Sequence, residues 1–163
     1  MTDRNINYKP RPSRELILPN AGGVWSHTGS AGSYVDHATW TIPGRVVNLG
    51  YIIITPVWFT TTINANSKQV RIRLAGNDVF LPASSAMSGF GAYRPNPIVI
   101  RNTAYNAQEF PPKTMSGTTS GSGVATLAVD MSADQDLVFA ANLGTGSDDI
   151  RLGYKTLVEI IHV

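Results

Sequence analysis

Apolar and polar positions alternate in short runs along most of this chain, with the period of two that marks strands and not the 3.6 of a helix. The clearest run is Lys68 to Ala75, where Val70, Ile72 and Leu74 share one face and Gln69, Arg71 and Arg73 the other. Ala38 to Ile42 alternates in the same way and stops at Pro43-Gly44, a turn signal. Val46 to Thr62 is a long β-branched and aromatic run interrupted at Pro56. Proline cannot donate to a ladder, so a bulge or an edge position is expected there. Asn64 to Ser67 predicts a turn, and Gly76-Asn77-Asp78 a hairpin turn into Val79 to Leu81. Further strands are predicted at Ile98 to Ile100, around Tyr105 to Phe110, at Val124 to Val129 and at Asp136 to Leu143. A closing run over Ile150 to Val163 sets Ile150, Leu152, Tyr154, Val158 and Ile160 against Arg151, Lys155 and Glu159. Pro82 to Pro97 and the Ser/Gly/Thr tract from Ser116 to Gly123 read as loops. About eight strands with turn signals at roughly ten-residue spacing predict an all-β protein, an antiparallel jelly-roll β-sandwich.

The first 36 residues follow a different rule. Pro10, Pro12 and Pro19 with Gly22, Gly23, Gly29 and Gly32 deny this stretch regular structure, and only Glu15 to Leu18 could form a short strand. The chain therefore divides into an extended N-terminal arm, 1–36, and a jelly-roll domain, 37–163. The arm carries too many apolar residues for a purely solvating tail. Ile6, Tyr8, Leu16, Ile17, Leu18 and Trp25 are expected to order on a neighbouring subunit, with Arg4, Lys9, Arg11 and Arg14 supplying charge. Charge is also uneven along the chain. Residues 1–23 hold four basic side chains against two acidic ones, and the remaining 140 hold nine against nine, so the net charge of +2 lies in the first 23 residues. That excess is too weak to predict direct nucleic-acid binding.

Several chemistries are excluded by the residues present. The chain has no cysteine, which removes disulfides, thiolate metal sites and cysteine nucleophiles. The start lacks the apolar core of a signal peptide, and no apolar run is long enough to span a bilayer, so a protein made in a host cytoplasm and not bound to a membrane is expected. His27, His37 and His162 lack the spacing of a metal site and are expected at the surface or an interface. The late aspartates (Asp130, Asp134, Asp136, Asp148, Asp149) are not spaced as a calcium loop; they are expected to cap turns, with an acidic rim facing a neighbouring copy as the alternative. Gly-x-Ser-x-Gly, phosphate-loop and dinucleotide motifs are absent, and Glu15, Glu109 and Glu159 are dispersed. No enzyme, no cofactor and no metal are predicted. Most large aromatics, such as Trp40, Trp58, Phe59, Phe80 and Phe110, are expected in the core, with Phe90, Tyr93 and Tyr105 within reach of a ligand.

Asn64-Ala-Asn-Ser-Lys-Gln-Val-Arg-Ile-Arg-Leu-Ala-Gly76 resembles a turn and strand found in jelly-roll virion proteins of tailed bacteriophages, where it follows a Thr-[Ile/Val]-Pro strand end, here Thr41-Ile-Pro43. Ser147-Asp-Asp-Ile-Arg-Leu-Gly-Tyr-Lys-Thr-Leu-Val-Glu159 is similar to the closing strand of the same proteins. The resemblance spans about Thr39 to Ile161, matches weakly between Pro82 and Gly123, and leaves the arm uncovered. It implies a virion structural protein: a capsid decoration (cement) protein, a head fibre or a tail-fibre module, commonly trimeric. Decoration of the major capsid protein by a nearly charge-neutral β domain with an attaching arm is the first expectation, and a fibre module binding a host-surface carbohydrate or receptor is the alternative. A homo-oligomer, expected as a trimer, is suggested by Leu157 and Ile161 on the otherwise polar face of the last strand, with Arg71 and Arg73 available to meet the acidic rim of a second copy.

Overall fold

A computed structural model describes residues 14–17, 26–28, 32–45, 49–60, 62–81, 92–93, 96–110, 123–153 and 155–163. Among them there is no helix, and therefore none long and apolar enough to cross a membrane. The strands are β1 (Arg14–Ile17), β2 (Ser26–Thr28), β3 (Val35–Ile42), β4 (Gly50–Thr55), β5 (Trp58–Thr60), β6 (Lys68–Leu74), β7 (Asn77–Phe80), β8 (Ala92–Tyr93), β9 (Ile98–Ala104), β10 (Ala107–Phe110), β11 (Ala125–Leu127), β12 (Gln135–Leu143), β13 (Asp149–Leu152) and β14 (Leu157–His162). They pair in a six-stranded sheet β1-β14-β4-β9-β10-β11, a four-stranded sheet β3-β12-β6-β7, and a sheet of shorter strands β2-β13-β5-β8. Each pairing is antiparallel. The all-β sandwich expected from the alternation is what the chain forms, with the connections repeatedly crossing between layers.

The inward half of each alternation makes one core. Ile52 and Ile54 of β4, Ile98 and Ile100 of β9, and Val158 and Ile160 of β14 join Trp40, Ile72, Leu74, Leu137 and Phe139 of the opposite layer in a single buried cluster. Each such aliphatic side chain contributes roughly 1.5–3 kcal/mol on full burial, so the two layers are held mainly by these rows. Trp40 and Phe139 pack with ring centroids 4.6 Å apart.

Two long predicted strands prove to be broken, and the breaks meet. The run through Pro56 divides into β4 and β5, which belong to different sheets, and the closing run divides into β13 and β14 in the same way. At the corner Gly153 N–H donates to the Val57 carbonyl at 2.6 Å, and Val57 N–H donates to Thr156 Oγ1 at 3.0 Å. The backbone groups that each break frees from a ladder are thus satisfied by the other break. A Cβ at Gly153 would stand 2.8 Å from Phe59 Cζ, which explains the small residue there.

Other differences are local. The β6–β7 hairpin turns at Ala75-Gly76, with φ of 48° and 78°, and not at Gly76-Asn77-Asp78. Two positive φ values are what a type I′ turn needs to match the twist of its strands. His37 is buried, not at the surface, because β3 bulges opposite Phe139/Ala140 and takes both His37 and Ala38 inward. Its ring meets Trp58 edge-on at 5.6 Å. Within the span read as an arm, Arg14–Ile17 pairs with β14, Ser26–Thr28 pairs with β13, and Val35 opens β3.

The two segments that carried the resemblance converge. Lys68, at the end of the Asn-Ala-Asn-Ser-Lys turn, has no solvent exposure and lies 3.6 Å from the equally buried Asp148 carboxylate. Lys68 Nζ donates to Asn64 Oδ1 (2.9 Å), while Asp148 Oδ1 accepts from Asn64 Nδ2 (2.7 Å) and Asn66 Nδ2 (3.2 Å). Burial alone would raise the Asp148 carboxyl, but hydrogen bonds from Asn64, Asn66 and Thr145 and the Lys68 charge outweigh it and hold the group below the ordinary carboxylate range. Asp148 is therefore an internal brace and not part of an acidic rim.

Candidate functional site

The outward face of the four-stranded sheet carries a built array of polar side chains. Its centre is β12, whose outward positions include Asp136, Val138, Ala140 and Asn142; β3 and β6 flank it. In the register Thr39 and Arg73 lie beside Val138, and Asp36 and Arg71 lie beside Ala140. Both arginines of β6 reach diagonally across the central strand, in the same direction. Arg73 Nη2 meets Asp36 Oδ1 at 2.5 Å. The Arg71 guanidinium lies 3.9 Å from the centre of the Tyr34 ring, close enough for a cation–π contact, and its Nε is 3.7 Å from Asp78 on the other side. Burial lifts the Tyr34 phenol above its ordinary value, with Arg71 opposing the lift and Asp78 adding to it. Two parallel straps therefore cross β12, and the small Ala140 between their ends is fully buried.

Beyond the Arg73–Asp36 strap the face opens into a groove of about 550 Å³, lined by Asp36, Arg73, Ala75, Gly76, Asp134, Gln135, Asp136 and Val138. Its carboxylates are positioned by neighbours. Thr41 Oγ1 donates to Asp136 at 2.8 Å, and Gly44 N–H donates to Asp134 at 2.7 Å. Gln135 Nε2 donates to the Asp130 carbonyl at 2.7 Å, and Asp130 caps the turn through Ser132 N–H. Those Ser132 bonds, side chain first and then backbone, hold Asp130 below its ordinary value. Three aspartates and one arginine give the groove a formal charge of −2 (one positive, three negative). The half-buried Val138 lies among fixed donors and acceptors. Among the described residues no group of three or more His, Asp or Glu side chains could hold a metal ion.

The residues singled out from the sequence are distributed over both layers. Arg71 and Arg73 lie in this array, whereas Leu157 and Ile161 face outward from the six-stranded sheet, so these four do not form one surface. Of the arm, Arg4, Ile6, Tyr8, Lys9, Arg11, Leu18 and Trp25 fall outside the described residues, as does Phe90. Arg14 is exposed and paired with Glu159 at 2.6 Å, Leu16 faces solvent, and Ile17 enters the core. Trp40, Trp58, Phe80 and Phe110 are core residues, and Tyr105 packs against them. Tyr34 is not singled out in the sequence, and Asp136 only as one of the late aspartates expected to cap turns or form an acidic rim. The available signal was the arginine pair at alternate positions of β6, which demands acceptors from whichever strands lie alongside.

No family model matches the chain, and no curated protein does. Solved structures do resemble it. The CBM2 module of the evolved Dit of Lactobacillus casei BL23 phage J-1 is 14% identical, with 88% of this chain and 78% of that one covered at a TM-score of 0.39. Carbohydrate-binding module CBM36, solved in complex with calcium and xylotriose, is 13% identical, with coverages of 91% and 98% and a TM-score of 0.34. Both are distant likenesses of architecture.

Proposed function

We propose that this protein is a non-catalytic virion module that binds a neutral or amino-bearing glycan of a host surface in the groove beside the Arg73–Asp36 strap. The carrying observation is the groove itself: carboxylates and a guanidinium held by Thr41, Gly44 and one another, set around the exposed edge of Val138. A sugar presents adjacent hydroxyls that both donate and accept. Asp136 and Asp134 supply acceptors, Arg73 and Gln135 supply donors, and Val138 offers an apolar contact for a ring face. The net negative charge disfavours phosphate-rich or sulfated polymers and nucleic acid. Because the polar groups are already held, little ordering entropy is lost on binding.

The test is titration of the purified protein against neutral, amino-bearing and anionic polysaccharides by calorimetry. Arg73→Ala and Asp136→Ala should each weaken binding of the neutral or amino-bearing class by about 10- to 100-fold, the range expected for losing a hydrogen bond to a charged group. Binding of anionic polymers alone, or equal binding by both variants, would overturn the reading.

Capsid decoration is a second proposal, favoured by one feature. Arg14 and Leu16 point outward from β1, an edge strand that follows directly on the segment holding Arg4, Lys9 and Arg11. Deletion of residues 2–13, which spares Ile17 and its place in the core, should abolish co-sedimentation with empty capsids; unchanged co-sedimentation would remove it.

A further inference from the structure

The outward face of the six-stranded sheet mixes exposed apolar side chains with two salt-bridged charge pairs. One cross-strand row reads Arg14, Ile161, Tyr51, Arg101 and Glu109 from β1 to β10. The next reads Leu16, Glu159, Ile53 and Val99, and the third begins with Leu157 and Thr55. Leu16, Leu157 and Val99 are 50%, 41% and 36% exposed, an unusual concentration of large apolar side chains on one sheet face. The charges are balanced within the face. Arg14 pairs with Glu159 and Arg101 with Glu109 (3.4 Å), and both arginines remain more than half exposed.

We infer that this face binds a second copy of the chain, face to face, about a two-fold axis running along β4. The register makes the face complementary to itself under that operation. With β4 on the axis, β1 of one copy lies over β10 of the other, and β14 over β9. Arg14 then lies over Glu109 of the second copy, both in the same row, and Arg101 lies next to Glu159 of the second copy. Ile53 and Tyr51 meet their own counterparts on the axis, and Val99 lies against the aliphatic stem of Glu159 of the second copy. A two-fold contact must be self-complementary, and Arg14 on one side of the face with Glu109 in the same row on the other meets that demand. The patch covers about 20 Å across the strands and 14 Å along them, from ordinary strand spacing and rise. That is about 280 Å² per copy, below the roughly 800 Å² per partner of a standard interface, so the contact is a weak, transient one with a dissociation constant of tens of micromolar or more.

The experiment is sedimentation equilibrium of the full chain up to about 100 μM. The wild type should reach a dimer, and Leu157→Glu and Val99→Glu should each raise the dissociation constant at least tenfold while leaving the circular dichroism spectrum unchanged. The chain is free of cysteine, so a single introduced thiol reports on the geometry. Ile53→Cys should give a covalent dimer with a short bis-maleimide, and Thr39→Cys, on the other layer, should not. A monomer at all concentrations, a trimer, or cross-linking through Thr39→Cys would overturn the inference. None of these readouts involves a glycan, so the result is independent of the proposed ligand.

Discussion

Lys68 and Asp148 carry opposite charges in a place without solvent; Asn64 and Asn66 hydrogen-bond Asp148 Oδ1 and Asn64 accepts from Lys68, while Asp148 Oδ2 has only the Lys68 charge beside it. A buried pair of this kind adds little over an apolar replacement, but removing one member strands the other. Asp148→Ala should therefore cost about 3–5 kcal/mol in urea unfolding, whereas Lys68→Met combined with Asp148→Leu should recover most of that loss. A double variant costing the sum of the two single variants would show that the two residues act separately. The pair also has a pH signature. The folded Asp148 carboxyl is held below its ordinary value, so its contribution is complete above the unfolded carboxylate pKa of about 4 and is lost as pH falls through the lower folded value. The stability gap between wild type and Asp148→Asn should be constant near pH 6 and close as pH drops toward 2. A gap that widens in acid would mean that Asp148 is not the acid-sensitive group.

At the scale of the element, the β6–β7 hairpin places Ala75 at φ 48°, where an L-residue with a Cβ is strained. Gly76, at φ 78°, has no such penalty. Ala75→Gly should raise stability by about 0.5–1 kcal/mol and the melting temperature by a few degrees, read by differential scanning calorimetry. No gain would mean that the turn relaxes in solution. The reverse holds at Gly50, at φ 143°, where a Cβ would collide with the Ile161 carbonyl; Gly50→Ala should loosen the β4–β14 pairing. These two positions mark the limit of sequence reasoning. Alternation in Lys68 to Ala75 and in Ala38 to Ile42 identified β6 and β3 and their inward faces, because period and burial are properties of a single strand. Where Pro56 sends the chain into another sheet, or where the closing run stops at Gly153, depends on Val57, Gly153 and Thr156 meeting from 99 or fewer positions apart. The groove depends on the same kind of fact. Asp36, Arg73 and Asp136 become neighbours only once β12 is inserted between β3 and β6, and no spacing along the chain records that insertion.

At the scale of the whole molecule, the two proposed tasks belong to separate outward faces and their placement couples them. The proposed glycan groove lies on β3-β12-β6, and the proposed self-association face lies on the opposite layer. If two copies join through their six-stranded sheets, the stack runs groove, core, interface, core, groove, with the grooves roughly 30 Å apart, set by three sheet-to-sheet spacings of about 10 Å. They then face in opposite directions, so a single flat surface can occupy only one of them. The dimer should bridge two surfaces and gain little avidity on one, since a linkage that cannot span both sites adds no effective concentration. Wild-type protein above its dimer dissociation constant should agglutinate beads coated with the bound polysaccharide, followed as turbidity. Leu157→Glu should bind those beads with unchanged intrinsic affinity and fail to agglutinate them. Arg73→Ala should dimerise normally and do neither. Agglutination that survives Leu157→Glu would place a second glycan site on each copy, and tight bivalent capture on one planar glycan surface would require both grooves to face the same way, which the two-fold axis along β4 forbids.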